Sequence, residues 1–540
     1  MSAPDLDRLH ASADRGMLAA FWAEERGDVP AVMSDAGDRT RAEVNANANR
    51  LVRALRARGV EAGEGVALLC SNRPEFLESF AAVRRAGLRL TTVNWHLTGD
   101  EAGYIVDDCE ATAFVADARF AHVARRAADL SPGLRASIAV GGSIDGFEEW
   151  DEVLAPESGV DIADPVVGGT MLYTSGTTGR PKGVRRPPDP RSSLDVARLT
   201  QYRGNRHVHL CTGPLYHAAP LSFSLAAPAA MGVPIVMMDG WSAERTLALV
   251  EEHRVTHTHM VPTMFHRLLA LPDDVKAGYD VSSLVFVIHG AAPCPVEVKR
   301  RLMEWLGPIV WEYYAATEGA GTLVGPDEWL RKPGTVGIVT PRDHVRILDE
   351  SGREVRPSEI GTVYLKAPDD DRFEYFKAPE KTAGAYRERH FTLGDVGYVD
   401  DDGYLFLTDR SAHLIISGGV NIYPAEVEAA LLAHPAVGDV GVVGQPDAEW
   451  GEVVVAAVEP QTGVEPSDAL GFELVEWCRD RIAHYKCPRR VIFVGALPRH
   501  DNGKLYKHQL REQLRATPEV SVTEAGIPPS SEPGPERPGA

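Results

Sequence analysis

A chain of 540 residues with 44% hydrophobic and 25% charged residues is composed like a globular protein and is too long for one ordinary core, so two or more domains are expected. Its formal net charge of −21 repels polyanions at long range, which argues against nucleic acid or an anionic membrane surface as a partner. Any anion it binds must be held by a local site.

The N-terminal run MSAPDLDRLHASADRGML lacks the basic and apolar regions of a signal peptide. An amphipathic helix around Leu51 and Leu55 is expected to end at Gly59, followed by a strand over 66–70, a helix opened by Asn72 and Pro74 and stopped by Gly87, and a strand over 88–93. That is a βαβ unit. Apolar runs IVMM (235–238), LVFVIHG (284–290) and IVWEYY (309–314) recur between helical patterns such as VEVKRRLMEWL, which predicts α/β layers with largely parallel sheets and sites at the carboxyl ends of strands. The most apolar long segment, 220–238, is broken by Pro228, Gly232 and Pro234 and reads as a buried helix followed by a strand. No integral membrane segment and a cytoplasmic location are therefore expected. A second, α+β region begins near Asp409, with a Gly-rich turn at 417–419, a helix from Pro424, a strand over 440–443 and a final helix containing Trp477. The composition after Arg515 predicts a disordered tail. The six cysteines show no ligand spacing and read as reduced structural thiols, and His207/His209 and His257/His259 read as packing residues because a strand places i and i+2 on one face.

The run TSGTTGRPKG (174–183) packs hydroxyls, glycines and two cations into ten residues after the strand-like entry MLYT. Glycines admit an anion close to the backbone, hydroxyls and N–H groups donate to it, and a Lys adds a point charge, so the loop is suited to phosphate. Lys182 trails Gly179 by Arg180 and Pro181, so it is not a Walker A loop.

This loop is followed in order by PLYHAAP (214–220), HGAAP (289–293), YYAATEG (313–319), TLGD (392–395), DRSAHLIISGG (409–419) and PRHDNGK (498–504). Together the motifs resemble the adenylate-forming superfamily of acyl-CoA synthetases, carrier-loading adenylation domains and firefly-type luciferases, and most of all bacterial fatty-acyl-CoA ligases. The resemblance runs from about residue 35 to about residue 513. It implies a large N-terminal domain of layered α/β sheets (1–409), a small mobile α+β C-terminal domain (410–515) and a disordered tail (516–540). The implied activity is ATP-dependent: a carboxylic acid becomes an acyl-adenylate and passes to coenzyme A, with Mg²⁺ required.

By the same resemblance Thr174, Ser175, Gly176, Thr177, Thr178, Gly179 and Lys182 hold the phosphates, Thr317 donates to the α-phosphate and Glu318 holds the Mg²⁺. Gly290, Ala291, Ala292, Pro293 and Tyr314 form the adenine slot, Asp395 accepts the ribose hydroxyls and Arg410 is a second ribose contact. Lys504 bridges the attacking carboxylate and the α-phosphate, His217 gates the acyl and thiol paths, and Ser417, Gly418 and Gly419 line the pantetheine tunnel.

The chain departs from the commoner pattern at the hinge, with Ala412 and His413 where Asp or Lys and then an acid are frequent, and at Ala315, where Gly is usual. A ligase performing mainly thioesterification of a supplied adenylate is thus one alternative. Transfer to an amine or a separate carrier protein, and a catalytically silent nucleotide binder, are others. The acyl pocket is expected among the small residues Ala218, Ala219, Ala292, Ala315 and Ala316 and the apolar Met260, Val261, Phe265 and Leu221. No cation stands there to pair a second charge, so the expected acid is a bulky or medium-to-long apolar monocarboxylic one. The expected partners are small molecules, and a homodimer is compatible with the sequence.

Overall fold

A computed structural model of the chain describes residues 5–174, 181–202, 206–367, 372–410, 413–417, 420–447, 450–499, 503 and 505–516. Residues 517–540 of the expected tail lie outside the described residues.

The expected βαβ unit is the fully buried strand Gly65–Leu69, the helix Pro74–Arg85 with Pro74 in its first turn, and the parallel strand Arg89–Thr92. It belongs to an eight-stranded sheet ordered Glu374–Tyr375, Lys182–Arg185, Gly169–Thr174, Arg89–Thr92, Gly65–Leu69, Ala111–Asp117, Ala136–Val140, Glu148–Glu149. A second eight-stranded sheet runs Gly319–Val324, Val310–Ala316, Phe286–His289, His257–Met260, His209–Cys211, Ile235–Met237, Pro30–Ser34, Arg39–Thr40. Helices Arg41–Ala57 and Pro74–Arg85 fill the space between the two. Leu51, Leu55 and Phe76 share one buried cluster with Leu68 and Leu90 of the first sheet and Val32 and Ile235 of the second. Covered on both sides, the central strands read as continuous apolar runs.

A third sheet, Gly337–Ile338, Tyr404–Arg410, His390–Val399, Gly361–Lys366 and Val345–Leu348, is antiparallel throughout. The parallel-layer expectation did not include it. Its strands alternate, with Val363 and Leu365 buried while Thr362 and Tyr364 are half-buried, so the apolar signal is diluted. The C-terminal part forms a separate sheet of Val420–Ile422, Ile415–Ser417, Gly451–Pro460 and Val437–Asp447, with Arg490–Phe493 alongside. The Trp477 helix, Asp468–Arg479, is not the last. Lys507–Ala516 follows it and packs Leu510 and Leu514 against Val443 and Val455, a stripe of only two large residues that the sequence pattern did not reveal.

Behind the Phe286–His289 and Val310–Ala316 strands lies a buried charged brace. The Lys299 ammonium, on helix Val296–Leu306, donates to Glu312 Oε2 at 2.7 Å and lies 4.7 Å from the centre of the Trp329 ring, and His289 Nε2 is 3.4 Å from the same oxygen. Burial pushes the Glu312 carboxyl up, but His289 and Lys299 outweigh it and hold it down to about 2. A carboxylate depressed in the folded state stabilises the fold fully above its ordinary value of 4.5, and that contribution fades as pH falls toward 2. Lys299→Met leaves an uncompensated buried charge and is expected to cost about 3 kcal/mol or more, with Lys299→Met/Glu312→Gln recovering a large part. Thermal unfolding at neutral pH checks this; equal loss in the single and double variants would count against the brace.

Candidate active site

The strand Val310–Ala316 turns back through Thr317 and Glu318 into Gly319–Val324, with Ala316 opposite Gly319. Strand alternation sends Tyr313 and Tyr314 to opposite faces. Tyr314 packs with Phe391 and Leu405 of the third sheet, whereas Tyr313 packs with Phe223 and Ile288. Ala315, beside a bulge, keeps extended backbone with no positive φ, so its methyl adds no backbone strain.

Toward the third sheet, Tyr314 Oη donates to Asp395 Oδ2 at 2.7 Å, and both residues are buried. Asp395 stands inside the strand His390–Val399 rather than in a turn before it, directly across the ladder from Arg410. Gly290 follows the strand Phe286–His289, and a side chain there would come within 2.5 Å of the Tyr313 ring, so the close approach requires glycine. Ala291 next to it has φ 67, an uncommon left-handed conformation, and Ala291 and Pro293 are exposed with Ala292 half-buried. Gly290 thus abuts Tyr313, while Tyr314 and Asp395 pair on the other face of the strand.

The phosphate-type loop joins two paired strands, with Thr174 opposite Lys182. Ser175, Gly176, Thr177, Thr178 and Gly179 lie outside the described residues. Lys182 Nζ sits 5.1 Å from the centre of the Tyr375 ring, and Tyr375 Oη donates to Glu318 Oε1 at 3.0 Å. The first-sheet loop and the second-sheet hairpin turn are thereby brought together. Burial and then the neighbouring Lys381 hold the Lys182 ammonium below its usual range, while Glu318 pulls the other way. Burial, reinforced by the Glu318 charge, pushes the Tyr375 phenol up and keeps it a donor. Tyr375 and Lys381 were not identified from sequence; the run FEYFKAPEKT (373–382) that holds them carries no glycine-rich or hydroxyl-rich signature.

The C-terminal domain meets the second sheet's side of the molecule through one hairpin. Arg499 makes a two-pronged bond to Asp439, at 2.6 and 2.7 Å, donates to the Gly503 carbonyl at 2.8 Å and pairs with Leu505. Gly503 has φ 78, and a side chain there would lie 2.3 Å from Thr263 Oγ1, at the start of helix Pro262–Leu269 just after the strand His257–Met260. Lys504 itself lies outside the described residues, as do Ala412, Gly418 and Gly419.

Two expected site residues are not joined to this cluster by a described contact. Ser417 pairs with Val420 and Gly451 within the C-terminal sheet. His217 caps the start of the 218–226 helical segment, its ring 4.4 Å from that of Tyr216. The expected pocket walls need correction. Met260, Val261 and Phe265 pack with Leu302, Val310 and Trp329, and Leu221 packs with the central helices, so all four are core residues. The reason is alternation: Met260 points away from the face that His259 occupies. The paired histidines are packed as expected, His209 against Tyr202 at 2.7 Å and His257 against the Thr200 carbonyl at 3.0 Å.

Comparison with known proteins places these observations beside others. A family model described as "AMP-binding enzyme" matches residues 20–369, and one described as "AMP-binding enzyme C-terminal domain" matches 426–504. The chain is 33% identical over 494 residues to the long-chain-fatty-acid–CoA ligase FadD13 of Mycobacterium tuberculosis, covering 88% of this chain and 93% of that one. It is 34% identical over 479 residues to a feruloyl-CoA synthase of Amycolatopsis sp, covering 88% and 94%. Among solved structures it superimposes on the anthranilate CoA ligase AuaEII in complex with anthranoyl-AMP with a TM-score of 0.83 at 24% identity, a likeness of fold, covering 93% and 97%. On the amide bond synthetase McbA from Marinactinospora thermotolerans the TM-score is 0.78 at 27% identity, covering 93% and 99%.

The seat of the hairpin can be tested without reference to activity. Gly503→Ala puts a methyl into Thr263 and strains a left-handed residue, so the C-terminal domain should leave this position, while its own fold loses only about 1 kcal/mol. Small-angle scattering and limited proteolysis should report a more open molecule. A Gly503→Ala variant indistinguishable from the parent in both would show that the seat is not formed in solution.

Proposed function

The chain belongs to the AMP-binding enzyme family and, within the adenylate-forming superfamily, to the acyl-CoA synthetases, AMP-forming acid–thiol ligases, and from that premise we propose how its own residues carry the reaction. The acid's carboxylate oxygen attacks the α-phosphorus of ATP, a P–O bond forms, and the bond to pyrophosphate breaks. The thiol of coenzyme A then attacks the carbonyl of the acyl-adenylate and AMP leaves. In the first step two anions meet, so catalysis is a matter of placing positive charge and donors.

Thr317 donates to the α-phosphate, and Lys182 with the 174–179 loop holds the outer phosphates. Glu318 is a hard oxygen donor at a hairpin turn facing the phosphate loop, which suits Mg²⁺, an ion that takes few protein oxygens besides phosphate. Glu318 would hold it, with Tyr375 fixing the carboxylate, and the ion would neutralise phosphate charge. Asp395 accepts from the ribose while Tyr314 occupies its other oxygen and walls the adenine together with 290–293. Lys504 bridges the two reacting anions. The domain division at residues 409 and 410 belongs to the same proposal, as does a cytoplasmic location; among the described residues no helix is long and apolar enough to cross a membrane.

The observation that supports this assignment is the seating of Gly503 on Thr263, just after the strand His257–Met260, which lies two strands from Val310–Ala316 in the same sheet. A second reading, transfer of the adenylate to an amine, is favoured by the likeness to an amide bond synthetase. Both are tested by incubating the protein with ATP, Mg²⁺, a panel of acids and, as acceptors, coenzyme A or an amine, following pyrophosphate and, by mass spectrometry, the thioester and the amide. Lys504→Ala should lose about a hundredfold in pyrophosphate release but keep thioester formation from a synthetic acyl-adenylate. Tyr375→Phe should lose about tenfold in the first step, the worth of one hydrogen bond to a charged group. Equal loss of both half-reactions in Lys504→Ala would overturn the assignment, and absence of thioester with amide formed would favour the second reading.

A further inference from the structure

The acid's carboxylate has to lie between Thr317 and the hairpin seated on Thr263, so its body enters the side of the Val310–Ala316 strand away from Tyr314. That side is closed by three rings. Phe223 is parallel to His259, with centroids 5.6 Å apart, and 4.7 Å from Tyr313. Tyr313 Oη and His259 Nε2 are 3.0 Å apart, and Gly290 lies flat against the Tyr313 ring. Tyr313 and Phe223 are 8% and 9% exposed and His259 only 1%, and Ile288 and Phe286 pack with the two larger rings. The half-buried Ala219 and Ala315, both small, pack against the same cluster. Phe223 is carried by Leu221–Ala226, a π-helical segment, a widened turn that is rare and found mostly at functional sites.

The floor also has a polar element. Tyr313 Oη can bond His259 and still take a second hydrogen-bond partner, and the buried His259 Nδ1 meets no partner among the described residues. We infer that this floor selects a compact aromatic acid bearing a hydrogen-bonding substituent at the end away from its carboxylate, and excludes long alkyl acids. The inference rests on the ligase reading and narrows it: the rings offer stacking to a flat substrate, and Tyr313 blocks the path a long chain would need.

The test measures kcat/KM, by pyrophosphate release and by thioester, for benzoic, 4-hydroxybenzoic, cinnamic, 4-hydroxycinnamic, octanoic, dodecanoic and hexadecanoic acids. The best aromatic acid should exceed dodecanoic and hexadecanoic acids by about tenfold or more. Tyr313→Phe should lower the ratio of hydroxylated to unsubstituted aromatic acid by about fivefold or more, and Tyr313→Ala should raise the ratio of dodecanoic to aromatic acid by about tenfold. Dodecanoic or hexadecanoic acid turned over as fast as any aromatic acid, or a hydroxyl preference unmoved by Tyr313→Phe, overturns the inference and leaves the ligase reading standing. No turnover of any acid overturns both. Because Tyr313→Phe keeps the ring, the polar part is tested even if Tyr313→Ala fails to fold.

Discussion

The period-two alternation of one strand organises the site. Along Val310–Ala316, Glu312 and Tyr314 point one way and Tyr313 the other, and the chain then turns at Thr317 and Glu318. Four demands are met within seven residues: Glu312 anchors the strand to Lys299, Tyr314 orients Asp395, Tyr313 closes the opposite face, and the turn faces the phosphate loop. A one-residue slip would exchange the two tyrosines and put Glu312 among the aromatic rings, so the register is held strongly. The buried ion pair has its most direct use here, in fixing register, a role better attested for such pairs than net stability.

Charge is managed locally because the chain as a whole is acidic. With a net charge of −21, long-range attraction cannot gather a polyphosphate, and the cations at the site have to be held in place beforehand. Lys182 lies over the Tyr375 ring, whose negative face attracts it, and the same phenol donates to Glu318. One neutral side chain thus positions both a cation and an anion without cancelling either. Burial, and after it the charge of Lys381, hold the Lys182 ammonium below its usual range, against the pull of Glu318.

The βαβ opening and the strand that ends at the Thr317 and Glu318 turn were legible in the sequence because each rests on local chemistry: a proline in a first helical turn and an apolar run before a turn. Tyr375 was not legible, since its importance comes from contacts to residues 182 and 318 that only the folded chain brings near. The misplacement of Met260 and Phe265 has a related origin. Both are apolar and close in sequence to the site, but strand parity and the helix Pro262–Leu269 turn them to the other side, where they pack on Val310 and Trp329. Tyr313 and Tyr314 are indistinguishable in the sequence, because adjacent tyrosines differ only once the faces of the strand are assigned. The third sheet escaped since its one-sided strands lack the long apolar runs of the parallel ones.

The hairpin that carries Gly503 is held rigidly within its own domain. Arg499 clamps Asp439 with two bonds, and Tyr506 N donates to the Pro498 carbonyl at 2.8 Å, so the hairpin is braced at its base. Such a hairpin moves with its domain rather than swinging alone. Its seat on the N-terminal domain includes Thr263 and Val261 against Gly503, and His266 beside Asp439, where burial keeps the imidazole below its usual range. The hairpin is thus a stiff arm of its own domain, and the meeting of Gly503 with Thr263 sets it on the N-terminal one.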